Sequence, residues 1–214
     1  MKKAILFPAL MGLMLSGCLQ AQSSASDVQM NAFIDDLMSR MTLPEKIGQL
    51  NLLPLGFDVT GPQLSMDVET NICQGSVGGV LNVYTPGAVR KLQSLAINES
   101  RLGIPLLFGY DVIHGHKTIF PIPLGLSCTW NLSAIERSAR IAATEASADG
   151  VNWAFSPMVD IARDPRWGRI AEGSGEDPYL GAQIARAMVR GYQGDDLSRS
   201  NALMACVKHF ALYG

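Results

Sequence analysis

Residues 77–99 read VGGVLNVYTPGAVRKLQSLAINE, a short apolar run followed by a longer segment of mixed character. The first eight residues are almost continuously apolar, which predicts a strand that is buried on both faces. Thr85 and Pro86 then begin a predicted helix that reaches about Glu99, because proline is favoured at the first helical position. This stretch therefore predicts one β/α unit.

The same alternation recurs towards the C-terminus. Further strands are predicted at residues 104–112, 151–162 and 202–210, and further helices at residues 133–149 and 177–192. Apolar strands that alternate with helices predict a parallel sheet covered by helices. Two architectures share this pattern, a doubly wound sheet and a (β/α)8 barrel. No GxGxxG motif follows the first predicted strand, which disfavours the dinucleotide-binding form of the doubly wound sheet.

The placement of polar residues favours the barrel. Asp111, Asp160 and then Lys208 with His209 stand where predicted strands end, and barrel enzymes place their chemistry there. A complete barrel takes roughly 250 residues, and four units cannot close eight strands. The predicted fold is therefore α/β, a partial TIM (β/α)8 barrel of roughly the first four β/α units. We expect the chain to be the front part of a longer protein, cut after its fourth strand.

The N-terminal residues are typical of an export signal. Residues 1–3 (MKK) are positively charged, and residues 4–15 are apolar but too few to span a bilayer. The tetrad LSGC, which ends at Cys18, resembles a bacterial lipobox. Residues 1–18 are therefore predicted as a lipoprotein signal peptide, with Cys18 as the lipidation site. Cleavage after Ala21, with release of a soluble protein, is the alternative.

Residues 19–28 (LQAQSSASDV) are rich in serine, glutamine and alanine, and are predicted as a tether between the lipid anchor and the domain. No aspartate closely follows Cys18, so we expect anchoring to the outer membrane with the domain facing the periplasm. A soluble periplasmic protein and a cell-surface protein are the alternatives. The folded domain is predicted at residues 29–214.

Two helices are predicted at the start of this domain. The first has apolar residues at helical spacing, namely Met30, Phe33, Ile34, Leu37, Met38 and Met41. The second is short and begins with a capping box, in which Thr42 and Glu45 bond each other's backbone amides.

Composition excludes several classes of partner and site. The net charge is −2 and the 17 basic residues form no run, so no nucleic-acid partner is expected. Cys73, Cys128 and Cys206 are widely spaced and lack a CxxC motif, which predicts buried free thiols, with at most one chance pair, rather than a disulfide framework or a metal site. No metal ion and no cofactor are expected.

The loop after the second predicted strand begins with Asp111. A carboxylate at the end of a buried strand needs hydrogen-bond donors, and vicinal sugar hydroxyls supply two together. A structural aspartate bonded to backbone amides is the alternative. His114 and His116 lie two apart in a glycine loop with no third ligand nearby, so a role in shaping the loop is favoured over metal binding.

The loop after the third predicted strand, RDPRWGR, is dense in charge. The loop contains Arg163, Arg166 and Arg169, and several acidic residues lie close to them in the sequence. This mixture of charges is typical of an internal network of ion pairs. Arginine also presents a planar fork of donors to hydroxyl pairs, and the composition does not tell which arginine points inward. Trp167 could stack on a sugar ring, although packing is the commoner role of such a residue.

The last predicted strand carries Lys208 and His209 side by side. Successive side chains of a regular strand point to opposite faces. If both residues serve one pocket, the backbone must depart from regular geometry, and we predict a strained or cis peptide bond at or beside this pair. The alternative places the lysine inward and the histidine in the helix layer.

Four stretches together resemble the N-terminal barrel domain of glycoside hydrolase family 3, and within it the bacterial periplasmic β-glucosidases. They are MTLPEKIGQL, GYDVIHG, RDPRWGR with EGSGEDPYLG, and KHFALYG, and the likeness runs from about residue 30 to residue 214. The resemblance implies that Asp111, Arg169, Lys208 and His209 bind one glucosyl unit in the −1 subsite. It also implies that residues 116–130 line the pocket beneath that sugar.

The family hydrolyses glycosides with retention, through a carboxylate nucleophile and an acid/base. The nucleophile lies in an SDW- or SDxG-like motif on a later strand, and the acid/base usually comes from a second domain. No such motif occurs in a barrel segment here, so no catalytic residue is expected within the 214 residues and the nucleophile is expected beyond Gly214. The resemblance thus implies part of an exo-acting β-glucosidase that releases terminal glucose from β-glucosides and oligosaccharides, inactive by itself.

Other functions stay open. A β-xylosidase of the same family is an alternative, because the sequence does not show the pocket for the sugar's C6 group. A lipoprotein that binds sugar without cleaving it would keep Asp111, Arg169, Lys208 and His209 and lack a nucleophile. A purely structural lipoprotein is a third option. The family's β-N-acetylglucosaminidases are disfavoured, since a PGHG-type loop is replaced by ALYG at residues 211–214.

Overall fold

The computed structural model describes residues 25–55, 67–211 and 213. The predicted signal peptide, the lipidation site Cys18 and the first part of the predicted tether lie outside these residues. The chain divides into two compact units, Met1–Arg40 and Met41–Gly214.

The first unit contains helix α1, Ala25–Arg40. It begins within the predicted tether, residues 19–28, and ends before Met41, which is buried in the second unit. Apolar side chains along it, including Phe33, are exposed. Among the described residues, no helix combines the length and the apolar character needed to cross a membrane.

The second unit contains a five-stranded parallel sheet. Its strands are β1 Leu52–Pro54, β2 Gly79–Leu81, β3 Leu107–Tyr110, β4 Trp153–Ala154 and β5 Met204–Ala205. Each strand pairs with the next in sequence, so the spatial order is β1-β2-β3-β4-β5. A doubly wound sheet reverses its order at a switch point, whereas these described strands follow one another as in the wall of a barrel.

The prediction of a parallel sheet is confirmed, but the predicted count of four strands is wrong. Strand β1 pairs with β2 in register, Leu52 beside Gly79, and was not predicted. Its three residues are too few to show a periodic pattern, and Pro54 argues against a strand because proline donates no ladder hydrogen bond. The other strands are shorter than predicted, with β4 reduced to two residues.

Helices separate the strands, and their ends follow local sequence signals. They are α2 Leu43–Gly48, α3 Val68–Cys73, α4 Pro86–Asn98, α5 Pro123–Ser127, α6 Leu132–Ala148 and α7 Pro178–Gln193. The predicted capping box of α2 is present. Helix α6 begins one residue before the predicted residue 133, because Asn131 caps it and accepts a hydrogen bond from the backbone amide of Ala134.

Two apolar clusters lie beside the sheet. One joins α6 and α7 to the ends of β3 and β4, with Ile135, Ala143 and Leu203 fully buried. The other joins β1, β2 and β3 to α3 and α4 around Val80 and Phe108. The sheet is thus held from its helix-covered side, which leaves the carboxyl ends of the strands to carry loops.

The predicted burial of the free cysteines is wrong. Cys73, Cys128 and Cys206 are free thiols, but Cys128 is exposed and the other two are half-buried. Among the described residues, no group of three or more His, Cys, Asp or Glu side chains is placed to hold a metal ion.

Glu45 links the start of α2 to a distant loop. Its carboxylate accepts hydrogen bonds from the Thr42 amide at 2.8 Å and from Arg101 Nε at 2.9 Å and Nη2 at 2.6 Å. These bonds, first those from Arg101, lower the pKa of Glu45 from 4.5 to about 2. A carboxyl whose pKa is lower in the folded state stabilises the fold above its unfolded pKa and loses that contribution as the pH falls.

We therefore expect Glu45→Gln to destabilise the protein at pH 7, with the difference from wild type shrinking as the pH falls from about 4.5 towards 2. Urea unfolding at several pH values measures this difference. Glu69→Gln, which breaks the exposed Lys91–Glu69 pair, serves as the control and should change stability little at any pH. A Glu45→Gln effect that is constant over this range would contradict the prediction.

Candidate functional site

The candidate site lies at the carboxyl ends of β3, β4 and β5. Asp111 directly follows β3, Asp160 lies in the loop after β4, and Lys208 and His209 come shortly after β5. Parallel strands end at one edge of their sheet, so side chains from distant parts of the sequence meet there.

Lys208 and Asp111 form an ion pair across the end of β4. Lys208 Nζ lies 2.8 Å from Asp111 Oδ1. The lysine side chain is 13% exposed, whereas the aspartate side chain is 57% exposed. The lysine charge is therefore held inside the site, and the aspartate keeps an open face for further donors.

The backbone at this pair is anchored to the loop after β4. Lys208 N donates to Pro157 O at 3.1 Å, and Val159 N donates to Lys208 O at 2.7 Å. The peptide bond between Lys208 and His209 is cis, which confirms the predicted departure from regular geometry.

His209 is held by Asp160. Its backbone N donates to Asp160 Oδ2 at 3.2 Å, and its ring Nδ1 lies 2.8 Å from the same oxygen. The Asp160 side chain is 5% exposed and the His209 side chain 29% exposed. One buried carboxylate oxygen thus fixes both the backbone and the ring of this histidine.

Arg169 is paired with Glu172 in the loop that follows Asp160. Its Nε and Nη2 lie 2.6 and 2.5 Å from the two oxygens of Glu172, a bidentate pair. This bonding raises the pKa of Arg169 and lowers that of Glu172. The positive charge of Lys208 also lowers the pKa of Glu172.

Tyr213 connects Arg169 to His209. Its hydroxyl bonds Arg169 Nη1, and the guanidinium carbon lies 5.1 Å from the tyrosine ring centre. The rings of Tyr213 and His209 are 4.0 Å apart. Trp167 packs edge-on against Tyr213, with ring centres 5.8 Å apart.

The structure therefore brings all four predicted site residues into one cluster. Asp111 contacts Lys208, the next residue His209 contacts Tyr213, and Tyr213 contacts Arg169. Sequence reasoning did not assign the partners Asp160, Glu172 and Tyr213. Asp160 stood out as a polar residue near a strand end, but nothing in the sequence indicated that it pairs with His209, because the two are 49 residues apart.

The cluster offers many hydrogen-bonding groups and little net charge. Lys208 pairs with Asp111 and Arg169 with Glu172, while the carboxylate of Asp160 lies against His209. A phosphate site would need an excess of cations, whereas a neutral polyol needs donors and acceptors side by side. The arrangement therefore suits a neutral ligand with several hydroxyl groups.

His116 anchors the loop that also carries His114. His116 Nε2 lies 2.9 Å from Asp149 Oδ2, and Lys117 Nζ lies 2.8 Å from the other Asp149 oxygen. These bonds, first that from Lys117, lower the pKa of Asp149. The ring of His116 also packs edge-on against Tyr110. The loop after Asp111 is thereby attached to the end of α6, in agreement with its predicted shaping role.

Helix α5 lies within residues 116–130, the segment expected to line a sugar pocket. It packs against the 3₁₀ turn Ile170–Glu172, which follows Arg169. This contact places the segment beside the arginine loop, and its role in lining a pocket stays a prediction.

Known proteins match this chain over most of its described length. Residues 42–214 match the Glycosyl hydrolase family 3 N terminal domain. A periplasmic beta-glucosidase of Salmonella typhimurium is 45% identical over 184 residues, covering 86% of this chain and 24% of the relative. A beta-xylosidase of Formosa agariphila is 30% identical over 214 residues, covering 95% of this chain and 25% of the relative.

The fold also matches solved structures. The beta-glucosidase from Listeria innocua in complex with isofagomine superposes with a TM-score of 0.75 and 44% sequence identity. The match covers 84% of this chain and 25% of the Listeria chain. This chain thus spans about a quarter of the length of these relatives.

Proposed function

Since this chain belongs to glycosyl hydrolase family 3, whose N-terminal domain matches residues 42–214, we propose that it supplies the part of an exo-acting β-glucosidase that binds the terminal glucose. Asp111, Arg169, Lys208 and His209 bind the hydroxyl groups of one glucosyl unit in the −1 subsite. The substrates are β-glucosides and short β-linked oligosaccharides.

The convergence of these four side chains is the observation that supports the proposal. Asp111 keeps an open face after pairing with Lys208, and a carboxylate accepts hydrogen bonds from two vicinal hydroxyls at once. Lys208 has three donors and gives one to Asp111, which leaves two for the ligand. The sugar is thereby recognised by acceptors and donors together.

The carboxylates of the cluster are binding and positioning groups. Retaining hydrolysis needs a nucleophile and an acid/base about 5–5.5 Å apart on either side of the scissile bond. Each carboxylate of the cluster already bonds a neighbour through at least one oxygen. Asp111 bonds Lys208, Asp160 bonds His209 and Glu172 bonds Arg169. We therefore propose that the nucleophile and the acid/base come from outside these 214 residues.

Activity towards β-xylosides is the second candidate. The relative from Formosa agariphila is named a beta-xylosidase, and xylose carries the same ring hydroxyls as glucose without the C6 group. The cluster bonds ring hydroxyls, so it supports both sugars. Comparing the affinities of the chain for glucose and xylose separates the two, since a glucosidase should bind glucose more tightly.

A third candidate function is a lipoprotein that binds sugar without cleaving it, through the same four residues. The coding DNA downstream distinguishes it from an enzyme. A reading frame that continues into a segment with an SD-containing nucleophile motif supports the glucosidase, and a stop codon after Gly214 supports the binding protein.

The proposed location is the periplasm, with attachment to the outer membrane through a lipid on Cys18. The Salmonella relative is named periplasmic, and the LSGC tetrad suits lipidation. Palmitate labelling that is lost in Cys18→Ser would support the anchor, and labelling that persists would contradict it.

Replacement of Asp111 tests the subsite. We expect Asp111→Ala to weaken glucose binding at least about tenfold, because hydrogen bonds to a charged group are worth about 1.5–3 kcal/mol. Titration calorimetry of the purified chain with glucose measures the affinity.

The matched control is Asp36→Ala, which removes another exposed carboxylate paired with a cation, Arg40. It should leave glucose binding unchanged. Equal affinities of the wild type and Asp111→Ala would contradict the proposed subsite.

A further inference from the structure

The side chain of His209 has two ring nitrogens, and only one of them is engaged by Asp160. In a neutral histidine only one ring nitrogen carries a hydrogen. A fixed hydrogen-bond partner beside either nitrogen determines which one it is. The group next to Nδ1 therefore determines what His209 offers to a ligand at Nε2.

The partner of Nδ1 can only accept a hydrogen bond. Asp160 Oδ2 receives the His209 backbone N–H at 3.2 Å and lies 2.8 Å from Nδ1. An ionised carboxylate is an acceptor at both oxygens, so Nδ1 must carry the hydrogen. In the neutral ring Nε2 then has a free lone pair.

The carboxylate and the ring are both held in place. The Asp160 side chain is 5% exposed, and the neighbouring Val159 amide donates to Lys208 O at 2.7 Å. Tyr213 packs on the histidine ring at 4.0 Å. The ring is thus fixed on one edge and on one face, while its side chain stays 29% exposed.

We propose that Asp160 is a positioning residue that holds His209 in its Nδ1–H form, so that Nε2 accepts a hydrogen bond from a sugar hydroxyl. This inference rests on the proposed function, because it assigns a role within the same subsite. It adds a fixed acceptor to the donors of Lys208 and Arg169, and it gives the buried Asp160 a function without contact to the ligand.

The chain is well suited to a direct test of the tautomer. It has three histidines, His114, His116 and His209, so its ring-nitrogen NMR spectrum is small enough to assign with a His209→Gln variant. His116 provides an internal reference, because its Nε2 and not its Nδ1 faces a carboxylate, that of Asp149 at 2.9 Å. The two residues should show opposite tautomers in their neutral forms.

Two substitutions of Asp160 by residues of similar size distinguish its role as a hydrogen-bond acceptor from a role in packing alone. Asp160→Asn keeps an oxygen that can accept both bonds, whereas Asp160→Leu removes the acceptor. We expect Asp160→Asn to keep the Nδ1–H signal of His209 and to bind glucose within about threefold of wild type. We expect Asp160→Leu to lose that signal, to weaken glucose binding about tenfold or more, and to leave the His116 signals unchanged.

Three results would overturn the proposal. They are an Nε2–H form of His209 in the wild type, an unchanged tautomer in Asp160→Leu, and equal loss of glucose binding in both variants with the tautomer kept. The tautomer is read without sugar. Wild-type protein that shows the Nδ1–H form but binds no glucose would therefore contradict the proposed function and still decide how Asp160 holds His209.

Discussion

Gly191→Ala is expected to destabilise the protein by about 3 kcal/mol, the upper end for an overpacked core. Gly191 lies in α7 where that helix crosses α6. A Cβ added there would lie 2.4 Å from Glu136 O and 2.6 Å from Ala139 Cβ. Backbone atoms cannot rotate away, so the two helices would have to separate across the cluster that contains Ile135 and Ile184. Thermal unfolding should show a melting temperature lower by about 6–12 °C.

Gly181→Ala in the same helix is the matched control. A Cβ at Gly181 meets nothing within 4 Å. Alanine is the better helix former by roughly 0.5–1 kcal/mol, so this variant should be slightly more stable than wild type. Equal effects of the two substitutions would show that helix propensity, and not the close approach of α6 and α7, governs both positions.

Lys208→Met is expected to weaken glucose binding about 100-fold, which corresponds to about 2.7 kcal/mol. Asp111 is more exposed than Lys208, so the loss of the lysine should exceed that caused by Asp111→Ala. The substitution removes the donors that face the ligand and also leaves Asp111 without its cation, so two charge-assisted contacts change together. Methionine keeps a similar length and apolar stem, which limits the effect on folding.

Lys91→Met is the control for this substitution. It removes another lysine that pairs with a carboxylate, Glu69, on the exposed side of α4. Surface pairs of this kind contribute about 0–1 kcal/mol, and glucose binding should not change. An affinity loss of similar size in both variants would indicate a general charge effect and would contradict the role of Lys208 in the subsite.

Helix starts could be predicted from the sequence because they depend on neighbouring residues. Thr42 with Glu45 forms the predicted capping box, and Asp177 with Pro178 begins α7 as expected. The start of α6 was predicted one residue late, at 133 instead of Leu132, since both Asn131 and Ser133 suit a helix cap and Ser133 bonds Asn131 rather than the backbone.

Strand β1 could not be predicted, because its stability comes from pairing with β2 and not from its own three residues. The strand extents were overestimated for a related reason. Residues 157 and 158 after β4 are apolar like the strand, but the chain there pairs through an isolated bridge between Met158 and Lys208. The residue at which a hydrogen-bond ladder ends depends on the neighbouring strand, and the residues of that strand are distant in sequence.

The alternation of strands and helices and the parallel sheet follow from local hydrophobic patterns, which can be read along the chain. The expectation of a sugar site at Asp111, Arg169, Lys208 and His209 follows from motif resemblance. The pairing of each carboxylate with its cation, in contrast, depends on the folded chain. Asp111 and Lys208 are 97 residues apart, and Asp160 reaches His209 only because adjacent parallel strands end side by side. Which side chains meet at the ends of neighbouring strands depends on their distance in space. A hydrophobic pattern along the sequence does not contain this distance.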